Sequence, residues 1–533
     1  MSEQLSPVSF VPAVPKRGLL AMLRPSATHT AFSATLLLMA STVMSGVLGL
    51  VRTKYIAHLF GAGPVTDAYY AAFQLPDMIY YFLVGGVASI SLVTILSRYR
   101  QAGDEAGGDR ALSVVLNGML IVLGLGIVLG EIFAPLYTRV VFPHFDPARA
   151  AMCTSLTRWL LPAQLFFFAG GVLGSKLLVR KIFLYQAVTP LLYNVGIIAG
   201  AVLLSARFGV YSLAIGVLCG AFVGSLVMNG VGAYRNGLRY RAIFNLRDPA
   251  FLEWFRMSLP LMIGVSLTMA DRWILAYFAS GDTGGISRMN VAKTLFNAPM
   301  GILGQAAGAA SLPFFAALFS QGRRDDFALA VNRSASRVIA VSLLAAGWMV
   351  ALARPIVDLF RGGSFSQKDA AETATYFIIF ALSIALWAAQ GFYSRAFYAA
   401  GNTRVPAITG WIVTLISIPI YSTLFHRMGM VGLAIASDLG ILLLTVAMAV
   451  QLDRRGLVPL KGLEGGELWR ALLAAVVGFS GAMACVRYVH LPRGHVGDVV
   501  IIAAGTVSWG ALCFAMLKIT GSKLPAQVMR RKG

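Results

Sequence analysis

Ala111-Leu-Ser-Val-Val-Leu-Asn-Gly-Met-Leu-Ile-Val-Leu-Gly-Leu-Gly-Ile-Val-Leu-Gly-Glu-Ile-Phe-Ala-Pro-Leu-Tyr-Thr138 carries a single charged residue, Glu131. At 1.5 Å per residue, about 20 such residues in a helix cross the roughly 30 Å of hydrocarbon in a bilayer. A single apolar stretch in any other conformation would leave backbone N–H and C=O groups unpaired in lipid. The stretch therefore predicts a transmembrane helix, and runs like it recur along the chain. In the first half the predicted spans are 31–58, 66–97, 111–138, 152–175, 184–205 and 209–233. In the second half they are 251–279, 287–319, 334–353, 371–394, 404–425 and 430–451, and two more follow at 468–488 and 497–519. The expected fold class is an all-α polytopic membrane protein with about fourteen transmembrane helices. Its domains would be a cytoplasmic N-terminal tail (1–30), an N-lobe of six helices (31–233) and a C-lobe of six helices (251–451). Two additional helices (468–519) and a basic cytoplasmic tail (520–533) would complete it.

Composition excludes the soluble classes. Hydrophobic residues make up 58% of the 533 and charged residues 12%, against about 25% charged in an ordinary soluble domain. The net charge of +22 does not mark a nucleic-acid groove, because the basic residues stand singly or in pairs between apolar runs, as in loops that face anionic lipid. Cys153, Cys219, Cys485 and Cys513 each lie in an apolar run without CxxC spacing, which points to small buried side chains rather than a metal or disulfide role. No HExxH, phosphate-binding GxxxxGK[ST] loop or GxSxG is present. An enzyme is not expected, nor a cofactor. With no nucleotide loop, transport would draw on an ion gradient or the membrane potential.

The basic residues also set an orientation. Of 44 Lys and Arg, 28 fall on the side of the termini and 12 on the other, so both termini are expected in the cytoplasm. The first 30 residues show no cleavable signal and read as a cytoplasmic tail. The chain also repeats itself at an offset of about 220. Tyr211-Ser-Leu-Ala-Ile-Gly-Val-Leu-Cys-Gly220 returns as Val431-Gly-Leu-Ala-Ile-Ala-Ser-Asp-Leu-Gly440, Ser91-Leu92 as Ser311-Leu312, and Val188-Thr-Pro190 as Arg404-Val-Pro406. An offset spanning six helices preserves orientation, so the halves would be parallel repeats enclosing a cavity and working by alternating access.

Ionisable residues at membrane depth are costly and mark cavities or partners. Arg52, Lys54 and Asp67 flank the first turnaround. Lys54 fits interfacial snorkelling, whereas Arg52 and Asp67 are candidates for a site. Asp271 and Arg272 lie well inside span seven, and neighbours on a helix do not face each other, so Arg272 is expected in a cavity with a partner other than Asp271. Lys293, about one and a half turns into span eight, is a further candidate. Pro76 and Pro299 sit at corresponding places in spans two and eight and are expected to kink them.

Two motifs resemble a known family. Phe60-Gly-Ala-Gly-Pro-Val-Thr-Asp-Ala-Tyr-Tyr-Ala-Ala-Phe-Gln-Leu-Pro76 is similar to the span-two signature of the MurJ/MviN family, the lipid II flippases of bacterial peptidoglycan synthesis. Gly391-Phe-Tyr-Ser-Arg-Ala-Phe-Tyr-Ala-Ala-Gly-Asn-Thr-Arg-Val-Pro406 resembles its loop between spans ten and eleven, and Ser287 to Pro313 has its spacing. The resemblance implies two lobes around a cationic cavity and a groove for a polyprenyl tail on spans thirteen and fourteen. It matches the arginine closing span one to Arg52, the aspartate of the TDA motif to Asp67 and the span-seven pair to Asp271-Arg272. It also exposes departures. Gly46 stands where members often have arginine, Tyr80 and Tyr81 where basic residues follow a Leu-Pro-Asn motif, and Lys293-Thr294 where members have Asp-Arg.

The expected function is translocation of an undecaprenyl-diphosphate-linked peptidoglycan precursor, lipid II, to the outer leaflet of the bacterial inner membrane. The headgroup site would comprise Arg52, Asp67, Asp271, Arg272 and Lys293. The partners would be the bilayer and the lipid-linked diphosphate-sugar, with no nucleic acid, and the protein is expected to be a monomer. Competing expectations are export of another lipid-linked oligosaccharide or of a drug, and a non-transporting membrane scaffold.

Overall fold

The computed structural model describes residues 31–81, 87–262, 267–308, 311–489 and 494–525. The tail 1–30 and residues 526–533 lie outside that range. Among the described residues the chain is helical, with one isolated bridge between Gly362 and Phe365. This is what apolar segments of bilayer length must adopt, since each helix satisfies its own backbone groups.

The first half holds α1 (Ala31–Phe60), α2 (Pro64–Ala72), α3 (Gln74–Ile79), α4 (Val87–Gln101), α5 (Glu105–Val141), α6 (Pro147–Leu160) and α7 (Ala163–Val179). It continues with α8 (Leu184–Phe208), α9 (Tyr211–Ala221), a π-helical segment (Phe222–Val227) and α10 (Met228–Arg235). The second half holds α11 (Pro249–Met262), α12 (Leu267–Ala279), α13 (Gly285–Gly308), α14 (Ser311–Ser320), α15 (Arg324–Ala351) and α16 (Ala353–Asp358). Then come α17 (Gln367–Leu382), α18 (Ile384–Ala399) and α19 (Arg404–Arg454), and finally α20 (Gly465–Tyr488) and α21 (His495–Ile519). Each predicted span falls on one of these helices or on consecutive ones. Among the described residues nine helices are long and apolar enough to cross a membrane, and ten when α17 and α18, bent by 43°, count as one span.

Several spans are interrupted where single helices were expected. Span two breaks at Phe73, between α2 and α3. The break precedes Pro76, which cannot donate to a carbonyl four residues back. Span four breaks at Leu161–Pro162. At Pro299, by contrast, the helical run is not broken: α13 includes the proline within Gly285–Gly308. The internal repeat reappears in the backbone. Gly209 (φ 55, ψ −136) ends α8 and Gly429 (φ 59, ψ −138) interrupts α19. The two glycines, 220 apart, hold the same left-handed conformation just before the repeated segments at 211 and 431.

Helices pack mainly within their own half: α1 on α8, α8 on α9 and α4 on α7 in the first, α12 and α18 on α19 and α13 on α17 in the second. The halves meet through α1 and α2 against α13, and through α4 and α5 against α11. α20 and α21 pack on each other and attach to the second half through α15 and α16.

Candidate functional site

A cavity of about 520 Å³ opens between the halves. On one side α1 contributes Gly46, Gly49 and Arg52, and α2–α3 contribute Tyr70 and Asp77. On the other, α12 contributes Asp271 and Arg272 and α13 contributes Asn290, Lys293 and Thr294.

Asp271 and Arg272 point to different partners, as adjacent helical positions about 100° apart must. Arg272 Nη1 reaches across the gap to Asp77 Oδ2 at 3.3 Å, and both side chains stay open to the cavity, 69% and 40% exposed. The partner of Arg272 across the cavity is Asp77, an acid other than its neighbour Asp271. Asp271 turns inward. Its Oδ1 accepts from Tyr421 OH at 2.5 Å and its Oδ2 from Lys293 Nζ at 2.9 Å. Lys293 Nζ also donates to Ser437 Oγ at 2.9 Å and lies 4.0 Å from the Phe380 ring centroid and 5.2 Å from that of Trp387. Lys293 thus lines the cavity, with its ammonium already held by a carboxylate, a hydroxyl and the π faces of neighbouring rings. Arg52 also lines the cavity, and no hydrogen bond or ion pair engages it among the described residues.

Asp67 stands apart from this group. It is fully buried and is not part of the cavity wall. Its carboxylate caps α13 from the other half of the chain, accepting from Gly284 N at 2.6 Å, Ser287 N at 2.9 Å and Ser287 Oγ at 2.7 Å. An acid here satisfies N–H groups that no helical partner can reach and complements the positive end of the helix dipole. The approach is close: a Cβ on Gly284 (φ +83) would lie 2.6 Å from Ala62 O. Arg149, on α6, reinforces the contact, with Nη2 donating to Thr283 Oγ1 at 2.9 Å and Nη1 3.9 Å from Asp67. The motif repeats with its charges exchanged. Asp146 caps α6 three residues before Arg149, and 220 residues on, Ser366 caps α17 three residues before Asp369. Arg288, beside Ser287 on α13, pairs with Asp369 at 3.2 Å. These contacts tie α2 and α6 of the first half to the start of α13 in the second.

The family model described as "Lipid II flippase MurJ" matches residues 56–505. The chain belongs to the MurJ family. A probable lipid II flippase MurJ of Bdellovibrio bacteriovorus is 26% identical over 478 residues, covering 86% of this chain and 88% of that relative. A solved structure of a lipid II flippase MurJ in an inward closed conformation superimposes with a TM-score of 0.75 at 21% identity, over 91% of this chain and 99% of that one. An inward-facing multidrug-resistance MATE transporter shares the fold more loosely, with a TM-score of 0.65 at 16% identity over 79% and 98% of the two chains.

Within the MurJ family frame, the departures noted in the sequence have clear places. Gly46 faces the cavity, and a Cβ there would meet nothing within 4 Å. Tyr81 packs edge-on against Trp273 of the other half and Tyr80 against Phe167. Thr294 lines the cavity while donating to Asn290 O at 2.7 Å. Sequence reasoning missed Asp77 and Arg149. Asp77 carried a signal, an acid within an apolar span, whereas Arg149 lay in an expected loop and gave none.

Proposed function

We propose that this chain flips an undecaprenyl-diphosphate-linked peptidoglycan precursor, lipid II, from the cytoplasmic to the outer leaflet of the bacterial inner membrane. The observation that carries this reading is Arg52 and Arg272 facing one cavity from opposite halves, where a planar guanidinium fork on each wall suits a bridging phosphate. The two six-helix halves act as lobes that rock about the cavity, and α20 and α21 ride on the second lobe. Both termini are cytoplasmic, so the Asp67 contacts face outward and the cavity loads from the cytoplasm. The protein is a transporter rather than an enzyme, works as a monomer, and is driven by an ion gradient or the membrane potential without a cofactor. The polyprenyl tail stays in lipid while the headgroup crosses. A cationic drug fits less well, because both cavity acids, Asp77 and Asp271, are already paired with bases. The open space at Gly46 favours a second reading, a lipid-linked oligosaccharide with a less anionic headgroup.

Complementation separates these readings. The wild-type chain should restore growth and shape to bacteria depleted of their lipid II flippase. Stable membrane insertion without rescue would remove lipid II as the substrate, and loss of all lipid-linked transport in vesicles would leave a scaffold.

A further inference from the structure

The charges lining the cavity are not equally committed. Asp271 and Lys293 neutralise each other inside the second half, with side chains only 7% and 17% exposed. Tyr421, Ser437 and the rings of Phe380 and Trp387 hold them in place. Arg272 and Asp77 neutralise each other across the gap, far more openly. Their contact uses one nitrogen, at 3.3 Å, against 2.7–2.9 Å for a well-formed bond between a guanidinium and a carboxylate. Arg52 makes no hydrogen bond or ion pair among the described residues, and its charge also acts on Asp77 from the cavity wall. A diphosphate diester brings more negative charge than Arg52 alone can neutralise, so one further base must be freed to receive it. The exposed, single-contact pair is the one that gives way. A solvated ion pair is weakly held, and a fork with five donors gains most from an acceptor that engages it on two sides.

We propose that Asp77 is an internal competitor of the substrate: it holds Arg272 in the empty cavity and surrenders it to a lipid-linked diphosphate. The inference rests on the substrate class proposed above and names the residue that tunes it. Asp77 belongs to α3 of the first half and Arg272 to α12 of the second, so the exchange also changes what joins the halves. A protein carboxylate bridges them in the empty state, and the headgroup, between Arg52 and Arg272, bridges them in the loaded state. A headgroup with one phosphate is satisfied by Arg52 and gains little from evicting Asp77. Asp77 thereby makes the cavity selective for the diphosphate over abundant monophosphate lipids.

The test uses the full-length protein in detergent and two synthetic probes, a farnesyl-diphosphate-linked disaccharide and the same disaccharide on farnesyl monophosphate. Asp77→Asn should tighten diphosphate binding by roughly threefold to fivefold, the upper part of the range expected for releasing one solvated ion pair, and change monophosphate binding by less than about twofold. In an Arg272→Ala background the gain should vanish, which separates competition for Arg272 from general repulsion of anions. Asp77→Ala serves as a second variant, and melting temperatures show that each protein is folded. Unchanged or weaker diphosphate binding in Asp77→Asn overturns the proposal, and so does a gain that survives without Arg272. A wild-type chain that fails complementation while showing this exchange would remove the lipid II reading and leave the exchange standing.

Discussion

Ser287 Oγ lies 2.7 Å from Asp67 Oδ1, joining residues 220 positions apart, and the same carboxylate accepts from the Ser287 and Gly284 amides. Residue 67 in one half therefore caps the helix whose first turn holds its counterpart in the other. Asp67→Ala would strand two buried N–H groups, each costing about 1–3 kcal/mol. A lower melting temperature is expected, and a thiol introduced at Ile56 in a background lacking native cysteines should become reactive from the outer side. A variant with wild-type melting and an inert thiol would show that these contacts do not close the outer side.

Arg272 is exposed to the cavity, so its removal should cost the fold little, about 0–1 kcal/mol for the pair with Asp77. Arg272→Ala and Arg52→Ala should each abolish flipping with melting temperature nearly unchanged. Arg272→Lys should recover part of the activity, because an ammonium lacks the planar fork. A stable Arg272→Ala protein with normal transport would exclude this guanidinium as a headgroup contact.

Lys293 behaves in the opposite way. Removing it leaves the Asp271 carboxylate buried without its cation, a change that costs about 3–5 kcal/mol when one partner of a buried pair is lost. Lys293→Met should lower the melting temperature sharply, and the further change Asp271→Asn should restore much of it. If Lys293→Met melts like the wild type, the pair is not structural.

At Gly46 the cavity has open space where a Cβ would touch nothing. Gly46→Arg should therefore fold and add a second guanidinium beside Arg52. Tighter binding of the diphosphate probe is expected, with a steeper dependence on ionic strength. Loss of folding would show that the space is not available to a long side chain.

The Asp146 carboxyl, in the loop before α6, is held below the ordinary aspartate value of 3.8 by the Arg149 amide and guanidinium. A depressed carboxylate stabilises the fold above its unfolded value, and the contribution fades as pH falls through the folded one. The melting-temperature gap between wild type and Asp146→Ala should stay constant from pH 7 to about 5 and close as the pH falls below the ordinary carboxylate range. A gap that widens on acidification would reverse the assignment.

Arg52, Arg272 and Lys293 were legible in the sequence because a charge inside an apolar run must face something other than lipid. Their partners were not. Asp77 lies 195 residues from Arg272 and Ser437 lies 144 from Lys293, and nothing local in either segment specifies which carboxylate or hydroxyl will meet which base. Asp67 was read as a headgroup contact from its charge near an apolar span and its place in a motif, and the fold buries it against the start of α13.

The amino-acid sequence by itself determined the class, the helices and the repeat, because hydrophobicity over about 20 residues and backbone hydrogen bonding in lipid are local constraints. Tertiary structure alone decided which charges are spent on holding the protein together and which remain open to a ligand. That division depends on how two halves, 220 residues out of register, are brought face to face. Asp67 is consumed by the end of α13 and Lys293 by Asp271, and Arg272 and Arg52 are left facing the cavity, because burial and pairing are properties of the packed helices and not of any one of them.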